Sequence, residues 1–223
     1  MDSAAALEDV DENIARVCRI ARRERDDVNL IAVSKTHPAD AIEPLLAAGH
    51  RLFGENRVQE AADKWPALRE RYDGVELHLI GQLQSNKAED AAALFDVIHS
   101  LDRPSLLKAL AKAYDKLGKR VPCFVQVDVG EEEQKGGCAI ADLPELLARA
   151  KEADIPLLGL MCIPPADKEP APFFALLGEL ARRHEPEPGA WGLSMGMSAD
   201  FETAIMLGAT HIRVGSALFG ARG

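Results

Sequence analysis

The stretch Val28-Asn-Leu-Ile-Ala-Val-Ser-Lys-Thr-His-Pro38 joins a buried strand to the start of a helix. Its apolar, β-branched residues are typical of a strand that is covered on both faces, as in a parallel sheet. Pro38 follows, and proline is favoured in the first turn of a helix. Lys35 therefore stands at the carboxyl end of a buried strand, where α/β folds keep their functional sites. On position alone, a lysine that simply points into water is the more common case.

The same unit of strand and helix recurs along the whole chain. We predict eight strands, at 28–34, 50–54, 76–81, 96–100, 121–129, 155–162, 190–194 and 211–215. Helical patterns lie between them, at 39–48, 57–71, 86–94, 104–117, 142–153, 171–184 and 199–207, and an amphipathic helix at 3–24 precedes them. This alternation predicts an α/β fold, a single (β/α)₈ TIM barrel domain over residues 1–223 with an extra N-terminal helix.

Two features of this prediction stay open. Periodicity does not show closure, so an open doubly wound sheet is an alternative, although no Gly-x-Gly-x-x-Gly follows the first strand and a dinucleotide site is disfavoured. Pro66 lies inside the helical pattern at 57–71 and is expected to kink or split that helix, because proline lacks the backbone donor.

Composition and charge narrow the class of protein. Lys and Arg number 26 against 36 Asp and Glu, and the formal net charge of −10 disfavours binding to nucleic acid or to anionic membranes. The four cysteines are scattered without a Cys-x-x-Cys pair, so the sequence predicts neither a zinc site nor a disulfide framework. The acidic N-terminus is unlike a signal peptide, and no apolar run approaches the length of a membrane span. We expect a cytoplasmic protein that holds no metal.

Two loops near the end of the chain are suited to an anion. In barrels of this kind a phosphate site commonly lies after strands seven and eight. Gly196 loosens the first of these loops, and Ser198 occupies the N-cap position of the helix predicted at 199–207. Gly215 and Ser216 follow the last strand, and Gly215 would let backbone N–H groups approach an anion closely. Each feature alone is explained by an ordinary cap or turn, but together they predict a phosphate site.

Arg213 lies two residues before Gly215 and is predicted to face the barrel interior. A buried arginine is costly unless it meets a partner. One interpretation is an ion pair with Asp128 or Glu55, and the other is a hydrogen bond to a heteroatom of a ligand. With a phosphate site at one end of the ligand, the amine of Lys35 could form a Schiff base with an aldehyde at the other.

Five blocks of sequence resemble one family and occur in order. They are Val33-Ser-Lys-Thr36, Phe53-Gly-Glu-Asn56, His78-Leu-Ile-Gly81 with Leu83-Gln-Ser-Asn-Lys87, Leu193-Ser-Met-Gly-Met-Ser-x-Asp200 and Arg213-Val-Gly-Ser-Ala-Leu-Phe-Gly-Ala-Arg222. Together they are similar to the signature blocks of the YggS/PROSC family, the pyridoxal phosphate homeostasis proteins, whose barrel is of the alanine racemase type. The resemblance is specific because it needs all five blocks, whereas any one alone would be weak.

The resemblance implies a barrel that binds pyridoxal 5'-phosphate (PLP). By position in the blocks, Lys35 would hold PLP as a Schiff base, and Ser198 would bind the phosphate together with the backbone of Gly215 and Ser216. The family usually has threonine at the position of Ser216, but a hydroxyl and a backbone N–H are kept here.

The same resemblance implies the surroundings of the ring. Arg213 would face the pyridine nitrogen, and Asn56 would lie near the ring. Lys87 belongs to a signature block but gains no role beyond electrostatics near an anionic ligand. Lys135 keeps a Lys-x-Gly element within a divergent loop, and no role as a second PLP acceptor is assigned to it.

These residues also bear on whether the protein turns a substrate over. An arginine opposite the pyridine nitrogen disfavours its protonation, because a guanidinium stays charged and only donates, so the ring is a weaker electron sink. Racemases of this fold additionally use a tyrosine from a partner subunit, whereas Tyr72 and Tyr114 fall in predicted outer helices. We expect no catalytic residue and a PLP carrier without robust turnover.

Two other functions stay open at this point. One is a slow amino-acid racemase that uses Lys35 with a barrel residue such as His78 or Cys162. The other is a phosphosugar-type enzyme in which Lys35 forms a Schiff base with substrate and PLP is never bound. His37 is left out of the site, because a solvated loop residue explains it equally well.

The role of a PLP carrier also sets expectations about partners. PLP itself is the small-molecule partner, and PLP-dependent apo-enzymes would be met transiently. A monomer is expected, since the β-domain that builds the racemase dimer does not follow the barrel in this sequence.

Overall fold

Eight parallel strands form a closed barrel in the computed structural model, which describes residues 3–132 and 136–220. The strands are β1 (Asn29–Val33), β2 (Leu52–Glu55), β3 (Glu76–Leu79), β4 (Val97–Leu101), β5 (Cys123–Gln126), β6 (Leu157–Met161), β7 (Gly192–Met197) and β8 (His211–Val214). Each strand pairs with the next, and β8 closes on β1 with Asn29 opposite His211 and Ala32 opposite Val214. The predicted TIM barrel is confirmed, and the open sheet is excluded.

Helices surround the barrel and follow the order of the prediction. They are α1 (Ser3–Ile20), α2 (Ala39–Ala47), α3 (Val58–Arg69), α4 (Ala88–Leu94), α5 (Pro104–Leu117), α6 (Leu143–Glu152), α7 (Ala171–His184), α8 (Phe201–Met206) and α9 (Ser216–Phe219). The N-terminal helix α1 ends four residues earlier than predicted. Arg22 just beyond it has a φ of 56°, in the left-handed region that interrupts a helix.

The expected split of α3 at Pro66 is wrong. The helix runs from Val58 to Arg69 with Pro66 inside it. Both Pro66 and Ala62, whose carbonyl loses its donor to the proline, lie on the exposed side of the helix. Water can therefore satisfy that carbonyl, so the helix continues.

Apolar side chains fill two layers, one between the strands and the helices and one inside the barrel. The outer layer contains the largest buried side chains, among them Trp65, Phe53, Phe95, Tyr114 and Phe174. The inner cluster is smaller, with Val97, Phe124 and Met161. Because both faces of the strands are covered, β4 and β5 are buried at every residue, which explains their continuous apolar sequences.

The four cysteines are buried free thiols, at Cys18, Cys123, Cys138 and Cys162. Helices in the described parts of the chain are all too short or too polar to cross a bilayer.

Candidate functional site

A cavity of about 520 Å³ opens at the carboxyl ends of the strands. Its wall includes all six binding residues named from the sequence: Lys35, Asn56, Ser198, Arg213, Gly215 and Ser216. They come from the ends of four strands, β1, β2, β7 and β8, which are neighbours in the closed barrel. The volume lies within the ~300–1,000 Å³ typical of small-molecule sites.

Residues that sequence reasoning left out also line the cavity. His37 is one of them, and its ring stacks on Phe219 with centroids 4.5 Å apart. Gln82 and Gln126 form the opposite part of the wall, with Gln82 Nε2 donating to Gln126 Oε1 at 2.7 Å. Position gave a usable signal for two of these residues, because His37 shares the loop of Lys35 and Gln82 lies in the loop after β3. Their polar groups add hydrogen-bond donors and acceptors to the cavity wall.

The loop that carries Lys35 is held by α3. The ammonium of Lys64 donates to the carbonyl oxygens of Ser34 at 2.9 Å and of His37 at 3.0 Å, one on each side of Lys35. Between them, Thr36 adopts a left-handed φ of 66°, and its N–H donates to the carboxylate of Glu60. A non-glycine residue in that region is strained, so contacts from α3 must keep the loop in this shape.

The charge of Lys64 is balanced by a buried carboxylate. Glu55 is fully buried at the end of β2 and lies 2.8 Å from the Lys64 ammonium. Its Oε1 also accepts hydrogen bonds from the Ser34 hydroxyl at 2.6 Å and the Trp65 indole at 3.0 Å. Buried ion pairs of this kind are strongly destabilised when one partner is removed.

Arg213 does not form either of the ion pairs considered from the sequence. Its Nη1 donates to the Ser194 hydroxyl at 2.7 Å and its Nη2 to the Cys162 carbonyl at 2.9 Å, because Glu55 is engaged by Lys64 and the barrel interior offers uncharged acceptors. Burial lowers the pKa of the Arg213 guanidinium, yet an arginine stays charged in proteins. The fork has further N–H donors, and the residue lines the cavity, so it can donate to a ligand.

Two loops meet at the end of the cavity where an anion was predicted. The backbone N–H of Gly215 donates to the Ser198 hydroxyl at 3.2 Å, which links the loop after β7 to the loop after β8. The first N–H groups of α9 that donate within the helix are those of Leu218 and Phe219. Both donate to the Gly215 carbonyl. Ser216 begins α9, so its N–H is among the first N–H groups of the helix, which have no acceptor within it, and the residue lines the cavity.

Ser198 is not the N-cap of α8, so that part of the prediction is wrong. The N-cap is Asp200, whose carboxylate accepts a hydrogen bond from the Met197 N–H at 2.6 Å. This bond closes a turn that delays the helix to Phe201. Gly196 precedes the turn with a φ of +94°, and a Cβ there would lie 2.6 Å from the Cβ of Ala204. The serine is therefore left at the cavity wall instead of capping a helix.

Asn56 reaches the wall because Gly81 makes room for it. A Cβ on Gly81 would come within 2.2 Å of the Asn56 carbonyl oxygen, so the end of β3 must carry glycine for the two loops to meet. Lys87, from the same signature block as Gly81, forms an ion pair with Asp90 at 3.2 Å. Lys135 and Arg222 lie outside the described residues.

The side chains considered for a second acid or base lie elsewhere. His78 is buried inside the barrel, and burial raises the pKa of the Cys162 thiol to about 12. Tyr114 is part of α5, and its hydroxyl donates to the Val121 carbonyl at 2.7 Å. Tyr72 lies just beyond the end of α3. The described residues of the cavity wall include none of these four.

Comparison with known proteins matches this chain over its whole length. The family described as "Alanine racemase, N-terminal domain" matches residues 6–223. The pyridoxal phosphate homeostasis protein of Aquifex aeolicus (strain VF5) is 39% identical, and the match covers 100% of this chain and 99% of that protein. The protein of the same name from Pseudomonas aeruginosa is 41% identical over 95% of each chain. Among solved structures, PipY of Synechococcus elongatus PCC7942 with PLP bound is 39% identical, with a TM-score of 0.80 over 93% of this chain and 100% of that one.

Proposed function

The chain belongs to the family of pyridoxal phosphate homeostasis proteins, and we propose that it holds PLP as a Schiff base on Lys35 and serves intracellular PLP homeostasis. The relative PipY, whose structure contains PLP, supports this ligand. When bound, PLP supplies an aldehyde that condenses with an amine and a pyridine ring that withdraws electrons. The single observation that supports the site best is the cavity wall, which brings together an amine, a buried arginine and the two loops in which a phosphate site was predicted.

Each residue of the proposed site has a task set by its chemistry. Lys35 supplies the amine for the covalent bond. Ser198, with the backbone of Gly215 and Ser216, binds the phosphate group through a hydroxyl and backbone N–H donors. Arg213 donates to the pyridine nitrogen at the other end.

Asn56 completes the proposed site beside the ring. Its place is set by the close approach of Gly81, and an amide can both donate and accept hydrogen bonds. The wall around it also contains Ile80 and Ile163, whose apolar surfaces suit a flat heterocycle.

We place this protein among PLP carriers, without robust turnover of its own. The donor Arg213 disfavours protonation of the pyridine nitrogen, which weakens carbanion chemistry. The titratable side chains in the described part of the wall are Lys35, His37 and Arg213. A slow racemase would have to recruit an acid from this set, since His78 and Cys162 do not line the cavity. The family also argues against a phosphosugar enzyme that never binds PLP.

The proposed setting follows from the same role. We place residues 1–223 in the cytoplasm as one PLP-binding domain that acts as a monomer, with transient contacts to PLP-dependent apo-enzymes. The net charge of −10 fits this setting, since it disfavours nucleic acids and anionic membranes as partners.

Reduction of the PLP-loaded protein with borohydride tests the proposal. We expect one stable adduct, mapped by mass spectrometry to the peptide of Lys35, and its loss in Lys35→Ala. Lys87→Ala is the matched control, because Lys87 lies outside the cavity wall and is paired with Asp90, so its adduct should equal that of wild type. An adduct on another lysine, or no adduct at all, contradicts the proposal.

A second measurement separates a carrier from a slow racemase. The purified, PLP-loaded protein is incubated with L-alanine or L-serine, and the D-isomer is measured. Racemisation that persists through purification and disappears in both Lys35→Ala and His37→Ala would favour the enzyme. Racemisation no faster than that of free PLP supports the carrier.

A further inference from the structure

A line of polar side chains crosses the interior of the barrel, from its amino-terminal opening to the cavity. Arg213 Nη1 lies 2.7 Å from Ser194 Oγ, and the same oxygen lies 2.8 Å from His99 Nδ1. His99 Nε2 lies 2.8 Å from His78 Nδ1, and His78 Nε2 lies 3.0 Å from the carboxylate of Glu76. Ser194, His99 and His78 are fully buried, whereas Glu76 is about half exposed at the start of β3.

The two ends favour one direction for the hydrogen bonds between them, because Arg213 only donates and the Glu76 carboxylate beside His78 Nε2 only accepts. Arginine only donates, so Ser194 Oγ accepts from Arg213 and directs its own proton to His99 Nδ1. His99 Nδ1 then carries no proton, and Nε2 donates to His78 Nδ1. His78 then carries its proton on Nε2, which faces the carboxylate of Glu76 at 3.0 Å in a contact outside hydrogen-bond geometry. Both histidines are thereby assigned the same neutral tautomer, with the proton on Nε2 (the proton positions follow from the network).

The environment keeps the ring of His99 neutral. Burial lowers the pKa of His99 well below its usual value, and the positive charge of Arg213 acts in the same direction. The ring of Phe124 packs on His99 with centroids 4.6 Å apart and supplies no hydrogen-bond acceptor. A protonated His99 would have a donor on Nδ1 and could no longer accept from Ser194. The line of hydrogen bonds therefore requires an uncharged His99.

We propose that Ser194, His99 and His78 are positioning residues for Arg213 and form one directional hydrogen-bond relay that ends beside the carboxylate of Glu76. The relay holds the guanidinium at the cavity wall and lets the carboxylate of Glu76 polarise it through the barrel. This inference rests on the proposed function, because the contact between Arg213 and the pyridine nitrogen is part of that function. It adds residues on β3, β4 and β7 to a site otherwise built from Arg213 on β8 and from the loops.

The direction of the relay can be tested without PLP. Nitrogen-15 NMR of the PLP-free protein distinguishes the two neutral tautomers and the imidazolium of each histidine ring. At pH 7 we expect His78 and His99 to carry their proton on Nε2. A proton on Nδ1 of either ring, or a charged ring, overturns the relay, whatever the protein binds.

The effect on the cofactor is tested with Ser194→Ala. We expect the variant to bind PLP about tenfold more weakly, because a buried hydrogen bond to a charged group is lost. The absorption maximum of the bound PLP should shift as well, since the donor at the ring nitrogen changes. The matched control is Ser100→Ala, which removes the same atoms from a fully buried serine whose hydroxyl has no hydrogen-bond partner in the described structure. Affinity and absorption maximum should stay at wild-type values in that control.

The outcomes separate this inference from the proposed function. A Ser194→Ala variant with wild-type affinity and spectrum overturns the positioning role. If that variant does not fold, Glu76→Ala replaces it, because the side chain is half exposed. Loss of the Glu76 carboxylate should shift both the His78 Nε2 resonance and the absorption spectrum of bound PLP. If neither signal changes, the positioning role is overturned. If the wild-type protein forms no Lys35 adduct, the proposed function is contradicted, and the positioning role with it. The tautomers of His78 and His99 would still show whether the relay exists.

Discussion

At the scale of single residues, Arg213 illustrates how a charge is placed inside a barrel without a carboxylate beside it. Its nearest partners are a hydroxyl, from Ser194, and a backbone carbonyl, from Cys162. Neutral acceptors do not cancel the positive charge, so it can act on a ligand in the adjoining cavity. An ion pair with Glu55 would instead have neutralised it.

Gly196 gives a prediction at the same scale. Gly196→Ala should lower the free energy of unfolding by roughly 2 to 4 kcal/mol, through a left-handed φ and a clash with the Cβ of Ala204. Gly189→Ala is the control, since its φ of +78° is also left-handed but its Cβ would meet nothing within 4 Å. Urea denaturation of both variants measures the difference. Equal losses would show that the contact between β7 and α8 contributes nothing.

At the scale of elements, α3 fixes the loop that carries Lys35. Lys64 and Glu60 project from this helix to the backbone at Ser34, Thr36 and His37. The helix is in turn joined to β2 through the pair of Lys64 with Glu55. A change in α3 should therefore reach Lys35 although no residue of the helix lines the described cavity wall.

Lys64→Met tests this coupling. The substitution leaves Glu55 as an uncompensated buried charge, and we expect the free energy of unfolding to fall by about 3 to 5 kcal/mol. The Lys35 adduct should also form more slowly, because the loop loses two of its hydrogen bonds. Denaturation and a time course of borohydride trapping measure the two effects.

The double variant Lys64→Met with Glu55→Gln is the control for charge. It removes both ionised groups, so most of the stability should return while the loop still lacks its ammonium donor. Slow adduct formation should persist in it. Recovery of a wild-type rate in the double variant would contradict a role of Lys64 in positioning the loop.

At the scale of the whole molecule, buried histidines should make the barrel sensitive to acid. Burial lowers the pKa of His50 and His99, and it lowers that of His211 to about 4. The unfolded chain has ordinary histidines, so between pH 6.5 and about 4 it binds more protons than the folded chain does. The free energy of unfolding must therefore fall as the pH falls through this window.

Urea denaturation at pH 7, 6 and 5 measures this dependence. For His211 alone, a folded pKa of about 4 against 6.5 corresponds to roughly 3 kcal/mol over the full window. His211→Asn should reduce the slope. Carboxylates with a lowered pKa, such as Glu60 and Glu202, contribute only at more acidic pH, where they become protonated. Stability that stays constant from pH 7 to pH 5 would falsify the assignment of neutral buried rings.

The sequence by itself determined the elements, their order and the ends of the strands where the site would lie. Those features follow from local periodicity, because a buried strand such as β4 and an amphipathic helix such as α5 each show their pattern within a few residues. The loop positions of Lys35 and Gly215 followed in the same way, since a βα unit always places its loop at one end of the barrel.

Only the tertiary structure decided which side chains meet. Arg213 meets Ser194, Lys64 binds the loop of Lys35, and His37 lines the cavity wall. Each of these arrangements brings together residues from different strands and helices. The N-cap of α8 is Asp200 instead of Ser198 because the Asp200 side chain accepts a hydrogen bond from the Met197 N–H. Such contacts have no period in the sequence, because burial and hydrogen-bond geometry select them only after the barrel has closed.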